Sequence, residues 1–150
     1  FSNTSVGIAF KADTIVNNAN AGEAFFGIAD STMLVAGTGI TYAGYSHVGF
    51  KIVKTGSVTT LYATQGDTSV TTSSALTTFA NEDTVGLFFR TEYFVKSEFF
   101  YKVNDGAVSA VTELTTNPPE NTADCLMFAS TNKSTADYFD LTVGTASYER

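Results

Sequence analysis

Several residue types are scarce in this 150-residue chain, and each scarcity excludes a class of protein. A single cysteine, Cys125, rules out an internal disulfide, so the fold is not a disulfide scaffold. Charged residues make up only 15% of the chain, and their balance gives a net charge of −7. The few basic residues are scattered, which disfavours nucleic-acid binding because that depends on clustered Lys and Arg. No apolar run approaches the ~20 residues of a membrane-spanning helix, so we expect no membrane partner.

The scarcity of histidine limits catalytic chemistry. His47 is the only histidine, so a Ser-His-Asp triad or a Cys-His dyad would have to use it. It precedes Val48, which we expect in the core, so His47 falls on the opposite face as a satisfied or exposed surface residue. The lone Cys and the lone His lie far apart in sequence, which disfavours zinc. We expect Cys125, in the apolar setting ADCLMFAS, to be a small buried hydrophobe.

Carboxylates are the remaining candidates for chemistry. Glycosidases on β-sandwiches use two carboxylates about 5–9 Å apart, which share a face when they are two or four residues apart on a strand. Asp137 and Asp140 are three apart, and no predicted strand carries a suitable pair. Asp30, Asp67 and Asp105 lie in turns that could each offer calcium one ligand, but such residues need no metal to explain them. We therefore expect no catalytic residues, no metal and no cofactor.

Alternation of apolar and polar residues is the dominant pattern. Runs rich in Val, Phe, Tyr and Thr, separated by Gly, Asn and Pro breakers, predict ten strands. They cover about residues 5–11, 24–29, 46–53, 57–63, 68–72, 84–91, 96–103, 107–114, 123–129 and 136–143. Gly56 and Gly106 mark two tight hairpins, and only 73–81 could form a short helical turn. The pattern predicts one all-β domain over 1–150, an antiparallel sandwich or barrel.

Four of these strands carry a glycine between two apolar residues, although glycine weakens a strand. Because the apolar neighbours share one face, each glycine falls on the other face. One interpretation is tight packing and curvature inside a sandwich, and the other is a smooth face that docks a neighbouring subunit. The four segments are Val6–Ile8, Phe26–Ile28, Val48–Phe50 and Val85–Leu87.

Five longer segments resemble the concanavalin A-like (laminin G-like) jelly-roll domain of tailed-phage structural proteins. They are EAFFGIADST (23–32), YSHVGFKIVKTGSVTTLYAT (45–64), VGLFFR (85–90), FFYKVNDG (99–106) and ADYFDLTV (136–143), and they span most of the chain. The resemblance implies a jelly-roll β-sandwich and a non-enzymatic virion protein. The implied role is a decoration or cement protein on the capsid surface, assembled in the host cytoplasm, with the major capsid protein and copies of itself as partners. Since the chain begins with Phe1 and not Met, we expect a processed chain or a piece of a longer one.

The predicted partner-facing residues lie on the non-core faces or in the loops of the glycine strands. They are Tyr42, Tyr45, His47, Gly49, Lys51, Arg90 and Tyr93. A low-charge surface suits such packing because few charges must be desolvated. The alternative is a lectin-like, carbohydrate-binding adhesion module of a tail or head fibre, which would present exposed Tyr, loop Asp or Asn and a bound ion to a glycan.

Overall fold

The computed structural model describes residues 3–16, 22–35, 39–120, 125–131 and 138–149, and these ranges form thirteen β-strands. The strands are β1 (Asn3–Val16), β2 (Gly22–Ala29), β3 (Leu34–Val35), β4 (Gly39–Ile40), β5 (His47–Thr55), β6 (Val58–Gly66), β7 (Val70–Thr72), β8 (Thr77–Phe79), β9 (Thr84–Glu92), β10 (Lys96–Val103), β11 (Thr112–Leu114), β12 (Cys125–Thr131) and β13 (Tyr138–Glu149). Across these ranges, no helix has the length and apolar character needed to cross a membrane.

Two antiparallel sheets share one core. The five-stranded sheet has the order β11-β10-β9-β1-β13, and the six-stranded sheet has β12-β2-β5-β6-β7, with β8 also paired to β6. A two-stranded ribbon of β3 and β4 lies outside both. The prediction of an all-β antiparallel fold is confirmed, and the two sheets around a common core are consistent with a β-sandwich.

The core forms where the inward positions of the two sheets meet. Its buried side chains alternate along β1, β9 and β10 on one side and along β2, β5 and β6 on the other. Phe50 of the six-stranded sheet packs edge-on against Phe89 and Phe99 of the five-stranded sheet, with ring centroids 6.3 and 5.4 Å apart. The period-two alternation of the sequence therefore builds the two facing layers directly.

Two local predictions are wrong. Residues 77–79 form strand β8 and not a helical turn, because Phe79 is buried against Phe10 and so the segment is held beside β6. The only helical turn in the described ranges is the 3₁₀ turn Ser31–Met33, where Asp30 Oδ1 accepts hydrogen bonds from Thr32. The predicted strand 107–114 shortens to β11, since the Ser109 hydroxyl accepts the Tyr101 N–H that a sheet ladder would use.

The β5–β6 hairpin is tighter than predicted. Thr55 pairs with Val58, which leaves a two-residue loop in which Gly56 adopts φ +58°. Glycine takes that left-handed conformation at the lowest cost, so the turn explains why a glycine lies there. The side chain of Cys125, and all of Asp137, lie outside the part of the chain that is described.

Candidate functional site

Gly27 and Gly49 are opposite each other on β2 and β5, and their outward face is covered. A Cβ at Gly49 would lie 2.2 Å from the Phe26 carbonyl oxygen and 2.9 Å from the Phe25 ring. The Phe25 ring extends over both glycines and belongs to a second apolar cluster with Ala29 and Met33. These two glycines therefore serve internal packing, which supports the first interpretation at this pair.

Residues 30–35 and 39–46 carry the 3₁₀ turn and part of this cluster, and we call them the flap. Ile40, Tyr42 and Tyr45 of the flap pack on the cluster from outside the six-stranded sheet. The Asp30 amide donates to the Ser46 carbonyl, which ties the two ends of the flap together. The flap accordingly gives the outer face of this sheet a small core of its own.

His47 lies on the non-core face of its strand, as predicted, but beneath the flap with no exposed surface, so only the predicted location at the surface is wrong. Its Nδ1 is 2.8 Å from the Tyr45 carbonyl oxygen, which can only accept, so Nδ1 carries the proton. Its Nε2, 3.3 Å from Thr64 Oγ1, then accepts from that hydroxyl. Burial lowers the pKa of His47, although the Tyr45 carbonyl and Asp67 oppose the shift. The imidazole is neutral at pH 7 and both its nitrogens are engaged.

Tyr42 and Lys51 complete the cluster of predicted site residues around the flap. The Lys51 Nζ lies 5.0 Å from the centroid of the Tyr42 ring and 3.0 Å from Glu23 Oε2. Burial first, and then the Glu23 carboxylate, raise the pKa of Tyr42 far above its ordinary value, so the phenol stays neutral. The Tyr42 and His47 rings meet edge-on at 5.2 Å.

The structure brings together five of the seven predicted residues and separates two. Tyr42, Tyr45, His47, Gly49 and Lys51 gather at the flap. Arg90 lies on the outer face of the other sheet, and Tyr93 is only 3% exposed. Because His47, Gly49 and Tyr93 are buried, they offer no surface to a partner in this conformation. A partner-facing role for the other four stays a prediction.

Gly7 and Gly86 lie in a different setting, on the open outer face of the five-stranded sheet. A Cβ at Gly86 would meet no atom closer than Lys102 Cβ at 3.9 Å. A Cβ at Gly7 would meet Ser147 Oγ, the end of a side chain, at 3.0 Å. In the described part of the chain no segment packs over Gly7 and Gly86. The missing side chains therefore leave a depression in the sheet surface and do not accommodate a second packed layer.

We call the depression over these two glycines the glycine groove; its volume is about 300 Å³. Its floor includes Gly7, Gly86 and Ala9, and its apolar walls include Phe88, Phe100 and Val108. The Phe88 and Phe100 rings lie 5.9 Å apart, while Phe88 is 40% exposed and Val108 is 63% exposed. Large apolar side chains grouped at a solvent-facing depression are typical of interaction surfaces.

A row of charges borders the groove. Arg90 is hydrogen-bonded to Glu98, and Lys96 Nζ lies 3.0 Å from Glu98 Oε1 and 2.6 Å from Glu113 Oε2. Glu98 and Glu113 are direct partners across β10 and β11, a pairing that a search along single strands misses. Hydrogen bonds from Arg90 and Lys96 lower the pKa of Glu98. A general acid needs the opposite shift, so Glu98 suits a surface ion network better than the role of a general acid.

The β9–β10 hairpin ends in an exposed apolar turn, Tyr93–Val95, which we call the hairpin tip. Phe94 has φ +65°, a strained conformation for a residue with a side chain, and is 54% exposed. Val95 is 42% exposed, and Tyr93 is buried beneath the turn. A cleft of about 200 Å³ beside Phe94 is lined by residues that include Asp67 and Glu120. The turn therefore presents an aromatic ring to solvent beside acidic groups.

The sequence does contain a signal for the groove: two phenylalanines occupy outward-facing positions of neighbouring strands. Phe88 follows the inward-facing Leu87 in LFFR, and Phe100 follows the inward-facing Phe99 in FFYK, so both of these aromatic side chains point outward. Neither residue belongs to the predicted site. For the turn aspartates, no group of three or more His, Cys, Asp or Glu that could hold a metal occurs in the described part of the chain.

Comparison of this chain with protein-family models, curated proteins and solved structures finds no match in any of the three. The likeness to the phage jelly-roll domain thus rests on the sequence segments quoted above.

Proposed function

We propose that this protein is a non-enzymatic structural protein of a tailed-phage virion that decorates or cements the capsid, with the glycine groove as its docking surface. The observation that carries the docking role is the groove itself, an open apolar depression walled by the exposed Phe88 and the half-buried Phe100. The sequence resemblance supplies the class of protein, the jelly-roll topology and the major capsid protein as partner.

The chemistry around the groove supports protein recognition. Protein interfaces combine an apolar, aromatic centre with a polar rim, and a few central aromatic residues supply most of the binding energy. Phe88 and Phe100 form such a centre, and the Arg90 guanidinium lies 6.0 Å from the Phe100 ring at its rim. Since Arg90 is already paired with Glu98, docking there need not bury an isolated charge.

The test is whether the chain occupies symmetric sites on assembled virus particles, as judged by co-purification and electron microscopy of the particles. Gly86→Val should fill the groove while the protein still folds, and particle occupancy should fall at least tenfold. Thr60→Val places the same valine side chain on β6 of the other sheet without adding bulk, and should leave occupancy unchanged. Undiminished decoration by the Gly86→Val protein would overturn the docking role of the groove.

One observation favours the carbohydrate-binding alternative. A polar cleft of about 410 Å³ adjoins the aromatic pair through Arg90. It is lined by Asn3, Ser5 and Glu92, and by Arg90, Lys96 and Glu98 of the charged row. Aromatic faces beside hydrogen-bonding groups are suited to sugars. A glycan array with and without chelator tests this: reproducible hits that Phe100→Ala abolishes would support it, and an array without hits would remove it.

A further inference from the structure

We propose that the glycine groove of one copy receives the hairpin tip of a second copy, so that the chains associate head to tail. The proposal rests on the proposed role of the groove as a docking surface and names its occupant. It joins two exposed apolar features of the structure that lie on different parts of the molecule: the tip around Phe94 and the depression between Phe88 and Phe100.

The tip has the properties of an inserted knob. Phe94 is exposed and held at positive φ, with its amide 3.2 Å from the Pro119 carbonyl oxygen. Val95 N–H donates to the Glu92 carbonyl at 3.0 Å, and the turn is further anchored by the buried Tyr93. The aromatic ring is thus held on a rigid turn, which lowers the conformational entropy lost on docking.

The groove has room for this knob. A cavity of about 150 Å³ holds benzene, and the depression is about 300 Å³. A phenyl ring on the glycine floor can pack edge-on against Phe88 or Phe100, as Phe50 packs on Phe99 inside the core. Glycine at residues 7 and 86 permits the approach, because any larger side chain would raise the floor.

The tip cannot fill the groove of its own chain. Phe94 is six residues beyond Phe88, along and past the end of β9, which at about 3.3 Å per residue places the two roughly 20 Å apart. Both positions are fixed in the same hairpin. Only a second copy can bring the tip to the groove.

Charge favours the same pairing. Asp67 and Glu120 line the cleft beside the tip. Lys102 lies at the rim of the groove and makes no ion pair within the described ranges. Two copies of a chain with a net charge of −7 repel each other in most orientations. The orientation that brings the acidic residues beside the tip to Lys102 at the groove rim is an exception, so charge favours that orientation. A contact between two different patches is heterologous, and it generates rings or open chains.

The experiment is sedimentation velocity over a range of protein concentrations, with folding checked by circular dichroism. The wild type should associate with rising concentration. Phe94→Asn removes the ring but suits the positive φ, and Gly86→Val blocks the groove; each should weaken association at least tenfold. Mixing these two variants should restore dimers but nothing larger, because one variant keeps the groove and the other keeps the tip.

The outcomes separate this proposal from the proposed function. A monomeric wild type at all concentrations, or association unaffected by Phe94→Asn, would overturn the head-to-tail contact even if the protein decorates particles. Association with the expected mixing behaviour, in a protein that never binds particles, would support the contact and refute the capsid role. As a further check, Lys102→Glu should weaken association and Glu120→Lys in the same chain should recover it.

Discussion

Adding one methyl group at each of two glycines should have opposite effects on stability. In Gly49→Ala the new Cβ would lie 2.2 Å from a backbone carbonyl oxygen and 2.7 Å from Gly27 Cα. Real Cβ atoms do not approach so closely, so β2 and β5 must separate or the sheet must deform. In Gly86→Ala the nearest atom is 3.9 Å away, an ordinary van der Waals contact.

The magnitudes follow from these distances. Overpacking a core costs about 1–3 kcal/mol and sometimes more, and a clash with backbone belongs at the upper end, near 3 kcal/mol. For a domain of this size 1 kcal/mol shifts Tm by about 2–4 °C, so Gly49→Ala should lower Tm by roughly 6–12 °C. Replacing an unstrained glycine by alanine stabilises by about 0.4–1 kcal/mol through the unfolded state, so Gly86→Ala should raise Tm by about 2 °C.

Differential scanning calorimetry with urea unfolding at neutral pH measures both variants against the wild type. The m-value should stay constant, so that midpoints report stability alone. The reasoning is refuted if Gly49→Ala is as stable as the wild type, or if Gly86→Ala is destabilised by a similar amount. The first result would mean that the β2 backbone and the Phe25 ring do not close over Gly49, and the second that a layer covers Gly86.

Three further predictions concern single side chains. The pKa of His47 is the ordinary 6.5 in the unfolded chain, and burial lowers it in the folded protein. The free energy of unfolding should therefore fall by up to about 1.4 kcal/mol for each pH unit below 6.5. Urea unfolding across this pH range should show that loss for the wild type but not for the His47→Gln variant. Gln65 Nε2 donates to the Leu114 and Thr116 carbonyl oxygens at 3.1 and 2.8 Å, so Gln65→Leu should cost about 1–3 kcal/mol and release amide-exchange protection in β11. Arg90→Ala should cost less than about 1 kcal/mol, and a loss that persists in high salt during chemical denaturation would contradict a surface role for that ion pair.

The strands were predictable because their period-two pattern is also their burial pattern. All ten predicted strands overlap strands of the two sheets, eight of them strands of seven residues or more. Strand β8 was missed because its three residues, two of them Thr, carry no pattern of their own. The flap could not be predicted either. Its strands β3 and β4 are only two residues long, too short for an alternation pattern. The cluster beneath it depends on a tertiary contact between Phe25 and Met33, which no local pattern indicates.

The candidate site was less accessible to sequence reasoning for a physical reason. The alternation of apolar and polar residues predicts which side chains point away from the core. It does not predict whether another segment of the chain then covers those side chains. His47 and Arg90 both leave the core, yet the flap buries the first while the second stays on an open face. That difference is set by tertiary packing, which a local pattern does not encode.

The four glycines that share one sequence pattern therefore divide into two pairs with different causes. Gly27 and Gly49 meet each other across two strands, and the close backbone approach together with the Phe25 ring leaves no space for a Cβ. Gly86 has that space and nothing in the described chain fills it, whereas a Cβ at Gly7 would meet side-chain atoms first, Ser147 Oγ at 3.0 Å and the Phe88 ring at 3.4 Å. Glycine destabilises a strand relative to alanine. A strand with glycine at a position where alanine would fit is therefore less stable than it could be, and no packing contact within the described residues compensates. The partner surface proposed at the glycine groove would account for the glycine at residue 86 and for the exposed Phe88 side chain beside it.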